Sequence, residues 1–214
     1  MTLERIQLWT YLLEVREVSE VVLWRLSEVR DASDRWVRVK DSEDAELQSY
    51  DIGAGLDEAV FQSALRERQQ LQFQYFAALE AFLAGWARLS LLLFPLEGKG
   101  PDAASRAARG RAIRDELGIA ASTILADREL RDAWMHFDER LDRALFGGTF
   151  GERYRFVRST KANQLIQSTI ILLEVDSLVV HYTTRSGSRA SMDLNRLEQA
   201  VSEVRESLKG TVAG

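Results

Sequence analysis

The decapeptide RDAWMHFDER, residues 131–140, holds one of the chain's two histidines among arginines and carboxylates. An imidazole can move protons near neutral pH, and a guanidinium can hold phosphate oxygens. Asp132 stands one helical turn before His136. A helix makes the two surface neighbours, and the carboxylate can then fix the imidazole tautomer. Arg131 falls about 140° from His136 around the same helix. One helix therefore does not close both groups on a single phosphate. Two copies packed polar face to polar face bring an arginine and a histidine together from different chains. Arg128, Arg140 and Arg143 lie on the same polar side and are candidates for binding a substrate.

The phase of that helix separates chemistry from scaffold. Leu130, Ala133, Trp134, Phe137, Leu141, Ala144 and Leu145 collect on one apolar stripe, between about 200° and 320° when Arg131 is set at zero. Arg128, Arg131, Asp132, Met135, His136, Glu139, Arg140 and Arg143 occupy the other side. His136 is thus expected off the core face, unlike a histidine buried for packing.

The stretch RDAWMHFDERLD resembles the Arg-polar-x3-His signature of the HEPN superfamily, all-helical proteins that carry the motif on the last core helix. The resemblance covers about a dozen residues, and an order of four long helices over residues 3 to 146 agrees with it loosely. It implies dimerisation with paired motifs facing each other and, in many members, metal-independent endoribonuclease activity in toxin–antitoxin and other defence systems. Other members are non-catalytic binding or assembly modules. By this resemblance Arg131 steadies charge on phosphate, His136 transfers protons, and Asp132 is the intervening polar residue. One subgroup has a modified tyrosine two residues after the histidine. Asp138 stands there in this chain, so that regulation is not implied.

Other chemistries find less support. The chain has no cysteine, which excludes disulfides, thiolate metal sites and cysteine nucleophiles. A carboxylate-bridged metal site in a helical bundle needs Glu-x-x-His on two helices, yet Ala133 and Leu178 stand three residues before the histidines. No metal or cofactor is expected. His181, within LVVHYTT, has no acid or arginine at a useful spacing and reads as structural. Asp41, Glu43, Asp44 and Glu46 lack the calcium-loop pattern and read as a solvated cluster. No phosphate loop or nucleophile elbow is present. Tyr154–Lys161, YRFVRSTK, alternates aromatics and cations as nucleic-acid surfaces do, but it reads better as a basic strand or linker.

The net charge of −5 argues against a surface coated for nucleic acid. Locally the balance differs. Among 28 basic residues only Lys40, Lys99, Lys161 and Lys209 are lysine, and Arg106, Arg109, Arg111 and Arg114 crowd one short stretch. Such arginines either fork onto phosphates or lie on solvated helix faces balanced by acids.

These residues need elements to position them. Two prolines and an abundance of Ala, Leu, Glu and Arg favour long helices. The fold class expected is mainly α, a four-helix HEPN-like bundle with a small C-terminal β-hairpin or meander and a final helix. Apolar spacing from Leu3 to Val29 predicts a helix over 3–30. The polar stretch 31–55 reads as a long connection with a short strand or turn at Trp36–Val39. A second helix spans about 56–94 and stops at Pro95. Asp102 caps a third that ends near Gly118. The fourth spans about 119–146. β-branched runs predict strands at 170–174, 178–183 and 190–193, and 195–209 forms the last helix. The domains expected are residues 1–148, the bundle, and residues 149–214, a small appendage.

No N-terminal segment has the layout of a signal peptide. The apolar region 77–96 is broken by Glu80, Arg88 and Pro95, and reads as a buried helix, not a membrane span. The expectation is a cytoplasmic homodimer acting on RNA, with a neutralising protein partner if it is a toxin, and with no membrane.

Overall fold

From Leu12 to Trp36 an apolar or small residue returns at every third or fourth position: Val15, Val18, Val22, Leu26, Val29 and Ala32 lie between them, and all are buried. That stripe makes one helix, α1 (Arg5–Ser49), in the computed structural model of the chain. The structure describes residues 4–49, 58–96, 98, 100, 102–121, 123–136, 152–158, 169–184 and 186–212. The expected connection over 31–55, with its strand at Trp36–Val39, is thus corrected as far as Ser49. Polar composition suggested a loop, but residues 31–49 contain no glycine or proline to interrupt a helix. Their charged side chains Asp31, Asp34, Arg35 and Arg38 are turned outward, while Ala32, Ser33 and Trp36 continue the buried stripe. Tertiary contacts hold this half in place. Ser33 donates to the Val175 carbonyl. Arg30 donates to Asn195 (2.8 Å) and pairs with Glu198. Arg158 pairs with Asp41.

Helix α2 (Glu58–Leu93) runs antiparallel to α1, as the Glu14–Arg88 ion pair and the seating of Gly85 against Val22 show. It buries Tyr75, Leu79, Phe82, Leu83, Trp86 and Leu89. Burial pushes the Tyr75 phenol well above the usual tyrosine range, and its ring meets Phe156 edge to face at 5.1 Å. By length and composition alone, the segment Leu65–Leu93 could cross a bilayer.

Helix α3 (Ala103–Leu117) follows Pro95 and the turn before Asp102. Asp102 occupies the expected N-cap position, although its side chain makes no capping hydrogen bond. Gly118 ends the helix in the left-handed conformation, φ 64°, which glycine adopts without the Cβ penalty. After one 3₁₀ turn at Ile124–Ala126 comes the short helix α4 (Glu129–Met135).

Four strands, β1 (Glu152–Val157), β2 (Thr169–Glu174), β3 (Val179–Thr183) and β4 (Arg189–Asp193), form a sheet in sequence order. β1 and β2 are parallel, and β2, β3 and β4 form an antiparallel meander. The last three strands match the sequence expectation. β1 lies across part of the basic aromatic stretch. Ile171, Leu173, Val180, Tyr182 and Met192 alternate along their strands and are buried. Helix α5 (Leu194–Val212) starts directly after β4, where Asp193 accepts from the backbone N–H of Asn195 (2.9 Å) and Arg196 (3.4 Å). Leu194, Leu197, Val201, Val204 and Leu208 are its buried stripe.

One hydrophobic core takes side chains from α1 to α4 and also from the sheet and α5. The sheet and α5 therefore complete the core of the helices, where an appendage was expected. The expected boundary at residues 148 and 149 lies outside the described residues.

Candidate functional site

Helix α4 is shorter than the helix expected over 119–146, at least at its start. Gly118 turns the chain out of α3, Thr123 accepts from Leu125 N–H (3.4 Å) at the 3₁₀ turn, and Asp127 accepts from Glu129 N–H (2.8 Å). Those Thr and Asp side chains satisfy donors at two separate starts, and the helix begins only at Glu129. The expected continuation over 137–146 lies outside the described residues, and Arg140 and Arg143 with it.

Within α4 the expected phase holds where side chains are described. Leu130 and Ala133 are buried, Asp132 is half-buried, and His136 is exposed. His136 is the C-cap residue, with φ −110° and ψ 37°, and its N–H donates to the Asp132 carbonyl at 3.1 Å. The backbone therefore places Asp132 and His136 one turn apart at the C-terminal end of α4. Arg131 lies between Leu130 and Asp132 on this helix, and its side chain is outside the described set. α4 packs against α2 and β3.

Arg128 has a different position from the one its sequence context suggested. Its guanidinium donates to the carbonyl of Phe94. Arg114 donates to the carbonyl of Leu93, and Arg109 to that of Leu91 (3.1 Å). A helix leaves its last carbonyls without intrahelical donors, and Pro95 brings no N–H of its own. Three guanidiniums supply donors there and place positive charge at the negative end of the α2 dipole. Arg114 also stacks over the Phe94 ring at 4.8 Å, and Arg109 over Tyr11 at 5.2 Å. These three arginines thus close a helix end, a use that neither phosphate binding nor a solvated face anticipated.

The second histidine also gains a partner the linear sequence did not show. His181 Nε2 lies 2.6 Å from Glu174 Oε1, and both side chains are about six-sevenths buried, at 15% and 12% exposure. Ser177 donates to the other Glu174 oxygen at 2.5 Å. The register sets His181 opposite Leu172, so Glu174 is its diagonal neighbour across the hairpin. The corrected reading keeps His181 structural and gives it an acid: Glu174 ties β2, the turn at Ser177 and β3 together. Strand pairing across the turn at 175–178, between two of the expected strands, was the signal for this contact.

Among the described residues no three histidines or carboxylates gather as metal ligands. A shallow, open concavity runs along α2, lined by Arg66, Gln69, Gln70, Phe73, Gln74 and Ala77. It includes no residue of α4. No family model matches the chain, and no curated protein or solved structure matches it either.

Proposed function

We propose that the chain is a metal-independent endoribonuclease, of the toxin or defence kind, that works as a homodimer. The composite site takes Arg131 from one copy and Asp132 with His136 from the other. Arg140 and Arg143 steer the RNA, and a neutralising protein partner accompanies it in the cytoplasm. The observation that supports this is His136, exposed at the end of a helix whose Leu130 and Ala133 are anchored in the core, with Asp132 one turn behind it. A helix anchored in the core thus carries an exposed histidine at its end. The resemblance of RDAWMHFDERLD to the HEPN signature supplies the rest of the reading.

RNA brings its own nucleophile. His136 takes the proton from a 2′-hydroxyl, the 2′-oxygen bonds to phosphorus, and the P–O5′ bond breaks. The leaving 5′-oxygen takes up a proton, so the products are a 2′,3′-cyclic phosphate and a 5′-hydroxyl. Arg131 donates to the non-bridging oxygens as charge builds on them. Asp132 orients the imidazole and is expected to matter less than either.

Purified protein, freed of co-purifying partners, is expected to cut single-stranded RNA in EDTA and to leave DNA intact. His136→Ala and Arg131→Ala are each expected to slow cleavage roughly 10²-fold or more. A second reading, a non-catalytic dimeric binding module, is favoured by the arginines spent on the α2 end and by the net charge of −5. Intact RNA after prolonged incubation, or both variants cutting at the wild-type rate, selects that second reading.

A further inference from the structure

Helix α2 turns Leu71, Tyr75, Leu79 and Phe82 into the core. On its opposite side Arg66, Phe73 and Glu80 follow one another at intervals of seven residues, and all three are exposed. Seven residues make almost two full turns, so the three lie within about 20° of one outward line. Phe73 is 68% exposed. A single exposed phenyl ring decides nothing by itself, but this one stands midway between a cation and an anion. Among the described residues, neither the Arg66 nor the Glu80 side chain has an ion pair or hydrogen bond. The two stand about 21 Å apart along the helix, beyond each other's reach.

We propose that a second copy of this chain lays its own α2 against this face, antiparallel, about a two-fold axis at Phe73. Positions equally far from Phe73 then meet. Arg66 and Glu80 are each seven residues away, so Arg66 faces Glu80 of the second copy, and Glu80 faces its Arg66. The two Phe73 rings meet at the axis and leave water together. Gln69 faces Ala77 of the second copy, and on one flank Gln70 comes beside its Gln74. These glutamines line the shallow concavity along α2, and their amides both donate and accept.

Charge selects both the direction and the register. A parallel pair in register opposes Arg66 to Arg66 and Glu80 to Glu80. Five antiparallel alignments set this line of residues against itself. Centring on residue 66 opposes two arginines, and centring on residue 80 opposes two glutamates. Two others match Phe73 with a single charge and leave the opposite charge unanswered. Only the alignment centred on Phe73 overlaps fully and answers each cation with an anion, twice over.

This contact uses no residue of α4 and does not rest on the ribonuclease reading. Arg66→Glu and Glu80→Arg each set like charges face to face when a copy pairs with itself. Each is expected to weaken the α2 contact at least roughly tenfold, read as a loss of assembled mass in sedimentation equilibrium. The same loss is expected in a His136→Ala background, so a failed ribonuclease reading does not alter this outcome. Mixing the two variants restores the match, because one copy then carries two glutamates and the other two arginines. The mixture is therefore expected to regain the assembled mass that each variant lacks alone. A wild-type chain that stays monomeric at micromolar concentration, single variants that associate as the wild type does, or a mixture that associates no better than its components overturns the proposal. A face reserved for another protein gives the first of these results, and a dimer built on α4 alone gives the second.

Discussion

Leu130 is fully buried and His136 is exposed, although one short helix carries both. Truncating Leu130 to alanine removes packed methyl groups and is expected to cost about 2–5 kcal/mol of stability. His136→Ala is expected to stay within about 0.5 kcal/mol of wild type, as surface substitutions do. Denaturant unfolding of both variants checks this, and an equal loss in the two means that the α4 face is wrongly assigned. The opposite fates of these residues were legible because a helix repeats about every 3.6 positions and the apolar residues keep that phase. The role of Arg128 was not legible. Its acceptor, the Phe94 carbonyl, lies 34 residues back along the chain, and no local pattern marks which carbonyl past the end of α2 a distant guanidinium will reach. His181 shows the same limit, since its acid becomes a neighbour only once β2 and β3 pair.

At the scale of elements, the end of α2 shows how a single atom can decide packing. A Cβ added at Gly110 of α3 would lie 2.4 Å from Pro95 Cδ and 2.9 Å from the Leu93 carbonyl oxygen. Gly110→Ala is therefore expected to destabilise by about 1–3 kcal/mol, because α3 must move away from the carbonyls that Arg109 and Arg114 cover. In α5 the same substitution meets open space at Gly210 and is expected to stabilise by up to about 1 kcal/mol through helix propensity alone. Melting temperatures shifting in opposite directions would bear out this contrast, and a shared direction would refute it. Helix ends set by Pro95 and Gly118, and three of the four strands, could be read directly because their signals are local. The second half of α1 could not. Its helical state depends on Ser33, Arg30 and Asp41 reaching the β2–β3 turn, α5 and the residue after β1, while its composition alone resembles a loop.

For the whole molecule the question is whether residues 1–148 can stand without the rest. The stripe of α1 from Leu12 to Trp36 belongs to the same core as α2, the sheet and α5. Removing the last third of the chain uncovers a face against which Leu194, Leu197, Val201, Val204 and Leu208 had been packed. It also strips Arg30 of Asn195 and Glu198, and Ser33 of the Val175 carbonyl. Burying an aliphatic side chain contributes about 1.5–3 kcal/mol, so losing five such contacts costs about 7–15 kcal/mol, comparable to the whole stability of about 5–15 kcal/mol that a native protein has. A fragment ending at residue 148 is thus expected to keep helical circular dichroism but to lose its cooperative unfolding transition and to bind a hydrophobic dye. If that fragment unfolds in one sharp step with native-like near-ultraviolet dichroism, the helices form an independent domain and the shared core is not what holds them.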